Sequence, residues 1–178
     1  SRIVLGKPKW QQVVACYLFL VIFCIYIGKK MQKEEEFPEK WRKKESIVVL
    51  GVILAVAIPW RFPGGKVEIT MLDVGQGDGL FIRGPSGGNY MIDGGSSDVK
   101  EVGRYRLESF LKAKGVGTLD YVLISHGDGD HMNGILELLG RQQVGIRIRN
   151  LVLPVRQVWD EALQKLAVTA QEQGTQVW

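Results

Sequence analysis

Hydrophobic positions fall into two regimes along the chain. No residue from Trp10 to Ile27 is charged, and a second apolar run covers residues 47–60. Beyond Lys66 the apolar residues break into short groups separated by Gly, Pro, Asp and Ser, the pattern of a folded, layered domain. There, residues 67–72, 80–83 and 89–92 read as strands, with Pro85-Ser86-Gly87-Gly88 as the hairpin turn between the last two. Residues 101–114 carry Val102, Tyr105, Leu107 or Glu108, and Leu111 at helical spacing, and Gly115 is placed to cap that helix. Residues 119–124 read as a buried strand, 133–139 as a helix and 147–153 as another strand. A second amphipathic helix is predicted over residues 158–173, with Trp159, Leu163, Leu166 and Ala170 on one face. Hairpin strands followed by alternating helix and strand predict an α/β layered domain.

The two long apolar runs are short for membrane spans by their strict cores and sufficient with their flanks, since a span takes about 20 residues. Trp10, Tyr26, Trp60 and Phe62 stand at their ends, where aromatic belts belong, and charges begin just outside. Two transmembrane helices are therefore expected, at about residues 10–27 and 46–61, with buried or interfacial helices as the competing reading. The loop between them holds seven Lys or Arg against three before the first run. That bias puts the loop in the cytoplasm and both ends of the chain outside. The expected organisation is a membrane segment over residues 1–62, a linker over 63–66 and a domain over 67–178. The chain starts at Ser1 without Met and stops at Trp178 within an expected strand, so a fragment is expected.

Charge adds one restriction. The formal net charge is +4, but residues 1–60 hold 10 basic and 5 acidic side chains (+5), and residues 61–178 hold 13 and 14 (−1). The basic excess flanks the hydrophobic runs and says little about nucleic acid. One basic patch remains in the domain: Arg141, Arg147, Arg149 and Arg156, with no acid between residues 138 and 159. Arg147 and Arg149 share a strand face and could hold a phosphate backbone, although a solvated face is the default. Cys16 and Cys24, eight apart in the first run with no histidine nearby, read as small apolar residues of a buried helix.

The chemistry concentrates in Ser125-His126-Gly127-Asp128-Gly129-Asp130-His131, which holds both histidines of the chain. Two imidazoles and two carboxylates at a strand-to-helix turn suit a divalent metal, and glycines at 127 and 129 would free the turn's backbone. A calcium loop counted from Asp128 fails, because Met132 and Leu139 stand where oxygen ligands are needed. A solvated Asp-Gly turn is the competing reading. Asp73, Asp78 and Asp93 follow or precede strands that should point to the same edge, where such a carboxylate can orient a metal-bound imidazole; each could equally close a turn. Gly75-Gln76-Gly77-Asp78-Gly79 is no dinucleotide fingerprint, as a strand follows it, and no organic cofactor is expected.

His126-x-Asp128-x-Asp130-His131 resembles the His-x-His-x-Asp-His signature of the metallo-β-lactamase fold superfamily, with Asp128 in place of the second histidine. Met71-Leu72-Asp73-Val74-Gly75-Gln76-Gly77-Asp78 and Met91-Ile92-Asp93-Gly94-Gly95 resemble motifs of its DNA-uptake branch, the ComEC family of competence channel proteins. The resemblance runs from about Lys66 to the end and implies a truncated αββα-layered domain. It implies two divalent metals, with His126 and Asp128 at one, and Asp130 and His131 at the other. Asp130, Asp78 and Asp73 would be catalytic, and Asp93 and Ser125 would support the ligands from behind. The extra carboxylate favours Mn²⁺ or Mg²⁺ more than Zn²⁺. The implied activity is hydrolysis of DNA outside the membrane, with the membrane, DNA and other competence components as partners. The alternatives are a catalytically silent cap or DNA-binding surface of a channel, or another membrane-anchored hydrolase. The superfamily's later histidine ligands have no counterpart after His131, so this piece alone is expected to bind metal weakly and to hydrolyse little.

Overall fold

The computed structural model describes Gly6, Pro8, residues 10–32 and residues 65–178. The chain divides into two compact units, residues 7–61 and residues 62–178 together with the first six. In the first, the apolar run forms helix α1, Trp10–Gln32, of 23 residues. Among the described residues no helix is long and apolar enough to cross a membrane, several side chains of α1 falling outside that description. The expected helix at 46–61 lies outside the described residues. Cys16 and Cys24 are exposed on α1 as free thiols, contrary to their reading as buried.

In the second unit six strands form one sheet in chain order: β1 (Glu68–Met71), β2 (Leu80–Arg83), β3 (Asn89–Ile92), β4 (Thr118–Leu123), β5 (Arg147–Val152) and β6 (Gln176–Val177). β1 to β3 pair antiparallel, and β3 to β6 pair parallel. The hairpin at Pro85-Ser86-Gly87-Gly88 forms as expected, closed by the Gly84 amide on the Gly88 carbonyl at 2.8 Å.

Helices cover one face of this sheet. Phe81, Met91, Val122 and Leu151 point into that side and are fully buried against Leu107, Leu111, Ile135, Leu139, Leu163 and Leu166. Each such side chain stabilises the fold by about 1.5–3 kcal/mol. On the other face stand Ile69, Met71, Tyr121 and Leu123 with relative exposures of 64%, 71%, 40% and 37%. This side of the sheet is apolar and, among the described residues, uncovered.

Three helices differ from the sequence expectation. Residues 101–114 were expected to be one α-helix, but Gly103–Glu108 winds as a π-helix before α2 (Ser109–Ala113). The buried positions Val102 and Leu107 are five apart, which a π turn aligns and an α turn does not. Tyr105 is consequently exposed, and Glu108 is buried. The Gly115 cap is as expected: φ is +71°, and the Val116 amide reaches the Leu111 carbonyl at 2.8 Å. Helix α3 spans Gly129–Gly140, four residues earlier than expected, so Asp130 and His131 lie in its first turn. Asp130 there faces the positive end of the helix dipole. The last helix, α4, is Glu161–Glu172 rather than 158–173. Asp160 stops it short by accepting the Leu163 amide at 2.8 Å as an N-cap. Trp159 therefore leaves the helix, and its indole N–H donates to the Pro154 carbonyl at 2.8 Å.

Candidate metal centre

The strand directions bring the motifs together. Leu80 pairs with Ile92, and Ile92 with Leu123, so the loop before β2, the loop after β3 and the turn after β4 leave the sheet at one edge. Open α/β sheets place their ligands at this kind of edge. The loops interlock by backbone hydrogen bonds: Asp78 amide to Asp130 carbonyl at 3.1 Å, Gly95 amide to Asp78 carbonyl at 3.1 Å, and Gly94 amide to His131 carbonyl at 2.7 Å. Gly95 permits this approach, because a Cβ there would stand 2.5 to 2.6 Å from backbone atoms of residues 129–131.

A second layer of polar contacts fastens the same loops. Asp98 accepts the Gln76 amide and the Ser96 hydroxyl, each at 2.8 Å. These two bonds hold its carboxyl below the ordinary range. Asn133 of α3 donates to the Ser96 carbonyl at 2.6 Å and accepts the Ser96 amide at 3.0 Å. The sequence reading missed Asp98, Ser96 and Asn133, since nothing in their spacing announces a contact between distant loops.

Asp93 is the hub of the site. It is 6% exposed and sits at a left-handed φ of +54°, which Asp tolerates better than most residues. That backbone turn aims its carboxylate at the start of the motif. Oδ1 accepts the Ser125 amide at 2.8 Å, and Oδ2 accepts the Ser125 hydroxyl at 2.8 Å. Nδ1 of His131 lies 3.1 Å from the same Oδ2. Nδ1 of His126 lies 2.8 Å from Ser125 Oγ. The two imidazole rings are 3.9 Å apart, centre to centre.

Their other nitrogens face carboxylates. His126 Nε2 is 3.3 Å from Asp128, and His131 Nε2 is 3.6 Å from Asp78 and 4.0 Å from Asp130. Asp78, Asp93, Ser125, His126, Asp128, Asp130 and His131 are thus assembled in one place. Asp73 is not: its carboxylate is highly exposed and pairs with Arg106 at 3.3 Å. The turn's glycines act differently from expectation, as neither Gly127 nor Gly129 has a positive φ. Gly127 is needed for space: a Cβ there would meet the Asp160 carboxylate oxygens at 2.4 and 2.6 Å. Asp160 thereby becomes a neighbour of the motif, which its place near the start of the helix expected at 158–173 did not announce. Arg147 and Arg149 do share an exposed strand face, but Arg149 is tied to Asp120 at 2.5 Å.

In donor type the cluster suits a divalent metal, with each imidazole Nε2 beside carboxylate oxygens. Yet among the described residues no group of three or more His, Cys, Asp or Glu is gathered closely enough to hold a metal ion. The ligand pairs are in place without a closed shell. A hollow of about 680 Å³ lies elsewhere, lined by residues that include Trp159, Ala167 and Trp178 and none of the motif side chains.

Comparison with known proteins fits this arrangement. Residues 72–166 match the metallo-beta-lactamase superfamily, whose members usually bind divalent metals such as zinc. The chain is also similar to ComE operon protein 3 of Bacillus subtilis (strain 168), with 32% identity over 123 residues. That similarity covers 62% of this chain and 15% of the relative, so the chain spans only a small part of that protein. With more than half its length matched and the motif's histidines and aspartates gathered at one sheet edge, the chain belongs to the metallo-beta-lactamase superfamily.

Proposed function

We propose that the chain carries part of a metal-dependent hydrolase domain of a membrane DNA-uptake protein, cleaving DNA phosphodiesters outside the membrane. The observation that carries this reading is the pair of histidines whose Nδ1 atoms are turned inward to Asp93 and Ser125 while their Nε2 atoms face Asp128, Asp78 and Asp130. His126 and Asp128 would hold one divalent ion, and His131 and Asp130 a second, with Asp78 beside it. Such ions supply hydroxide at neutral pH and polarise phosphate oxygens. The chain's own part is to fix the imidazoles through Asp93 and to keep the three loops rigid through the backbone bonds among Asp78, Gly94, Gly95, Asp130 and His131. The DNA substrate rests on the ComEC resemblance of the Asp-Val-Gly-Gln-Gly-Asp string, supported by the similarity to ComE operon protein 3.

The domain reading goes with it. Residues 67–178 would be the first half of an αββα sandwich, whose second sheet covers the apolar face bearing Ile69, Met71, Tyr121 and Leu123. The runs at about residues 10–27 and 46–61 would span the membrane, leaving this domain extracytoplasmic.

A second reading is favoured by the lack of a closed three-residue metal group among the described residues: a silent cap or DNA-binding surface. The intact membrane protein carrying this chain, assayed on linear DNA with Mn²⁺, Mg²⁺ or Zn²⁺, separates the two. The hydrolase reading expects metal-dependent cleavage that His131→Ala and Asp128→Ala each abolish. DNA binding without cleavage under any metal would favour the cap.

A further inference from the structure

We propose that the Ser125 hydroxyl is a positioning residue that relays the charge of one carboxylate, Asp93, to His126, so that a single buried acid sets the tautomer of both histidines. The relay deepens the metal-site reading and rests on it for its purpose, though not for its proton arrangement.

The argument is a count of hydrogens. An ionised carboxylate only accepts, and a serine hydroxyl has one proton to give. Ser125 Oγ lies 2.8 Å from Asp93 Oδ2, so its proton is donated there. At its other 2.8 Å contact the hydroxyl oxygen must then accept, and the donor is Nδ1–H of His126. His131 Nδ1, 3.1 Å from the same Asp93 oxygen, must likewise carry a proton. A neutral imidazole has one N–H, so both rings present a bare Nε2 to Asp128, Asp78 and Asp130. The reverse tautomer of His126 would gain a longer contact, 3.3 Å from Nε2–H to the exposed Asp128 carboxylate, but it would take the hydroxyl proton for itself and set oxygen lone pairs of Ser125 and Asp93 against each other across 2.8 Å. His131 is oriented directly by Asp93, whereas His126 reaches that charge only through Ser125. The hydroxyl's further approach of 3.5 Å to His131 Nδ1 is too long to alter the count.

The test uses the whole chain in detergent micelles, labelled with ¹⁵N in its two histidines, without metal and at alkaline pH. Ring-nitrogen shifts should report Nδ1–H on both residues. Ser125→Ala should move His126 toward Nε2–H and leave His131 unchanged, which also shows that the site is still folded. Ser125→Thr, keeping the hydroxyl, should restore the parent pattern. On Mn²⁺ or Zn²⁺ titration the alanine variant should bind about 10–100-fold more weakly than the parent. An Nε2–H signal from His126 in the parent, or no change in Ser125→Ala, would overturn the relay. Expected tautomers uphold the relay whatever metal this chain binds, whereas the hydrolase reading fails on absence of metal-dependent cleavage by the intact protein, so the two fail separately.

Discussion

Gly127 is where the motif meets the rest of the fold. Its missing Cβ leaves room for the Asp160 carboxylate, which caps α4 by accepting the Leu163 amide. Gly127→Ala should therefore cost about 1–3 kcal/mol by overpacking, and Asp160→Ala about 0.5–2 kcal/mol by loss of the cap. The two changes share one contact, so the double variant should be less destabilised than the sum of the singles. Strict additivity in chemical denaturation would show that the turn and the cap are not in contact. Asp93 makes a related point at the same scale. Its chemistry was anticipated from the Asp-Gly-Gly string, but its left-handed φ and its four contacts come from the packing of β3 beside β4.

At the scale of elements, α2 and α3 are joined by a buried acid. Glu108, 4% exposed, accepts from Lys112 and from Arg141 at 3.2 Å. Burial pushes its carboxyl up, but the two hydrogen bonds and cationic charges outweigh burial and hold it below its ordinary value. A carboxyl with a depressed folded pKa stabilises above its unfolded pKa, and that share is lost as pH falls through the folded value. Melting temperature should thus fall as pH drops from about 5 toward the folded pKa. In Glu108→Gln that dependence should flatten, and stability near neutrality should drop by about 1–3 kcal/mol. An unchanged acid profile in the glutamine variant would assign the acid sensitivity to other groups. Binary patterning placed this helix correctly and mistook its winding. The five-residue step from Val102 to Leu107 is visible in the sequence, but its meaning depends on which side chains the sheet and α3 bury.

At the scale of the whole molecule, the sheet is finished on one side only among the described residues. Met71 is 71% exposed on the apolar face, so Met71→Lys should change the stability of this chain by no more than about 0.5 kcal/mol. In the intact protein the same change should be severely destabilising if a second sheet covers that face, because a lysine would then be buried without a partner. Equal tolerance in both settings, read by thermal melting, would sink the sandwich reading.

The sequence by itself determined the strands, the hairpin, the Gly115 cap and the presence of the helices of residues 65–178, and it singled out the motif as the candidate site. These follow from period-two and helical patterning, from turn residues and from two histidines placed beside aspartates, all of which are local signals. The sequence also named Asp78 and Asp93 as reaching the same edge, because strand order constrains where loops emerge. Only the tertiary structure decided which carboxylate does what. It sent Asp73 to Arg106, placed Asp160 against Gly127, tied Arg149 to Asp120 and bound the loops through Asp98, Ser96 and Asn133. Those contacts join residues more than 20 positions apart, except for Ser96 with Asp98. Nothing in local spacing specifies a contact that exists only once strands 30 residues apart lie about 4.8 Å from each other.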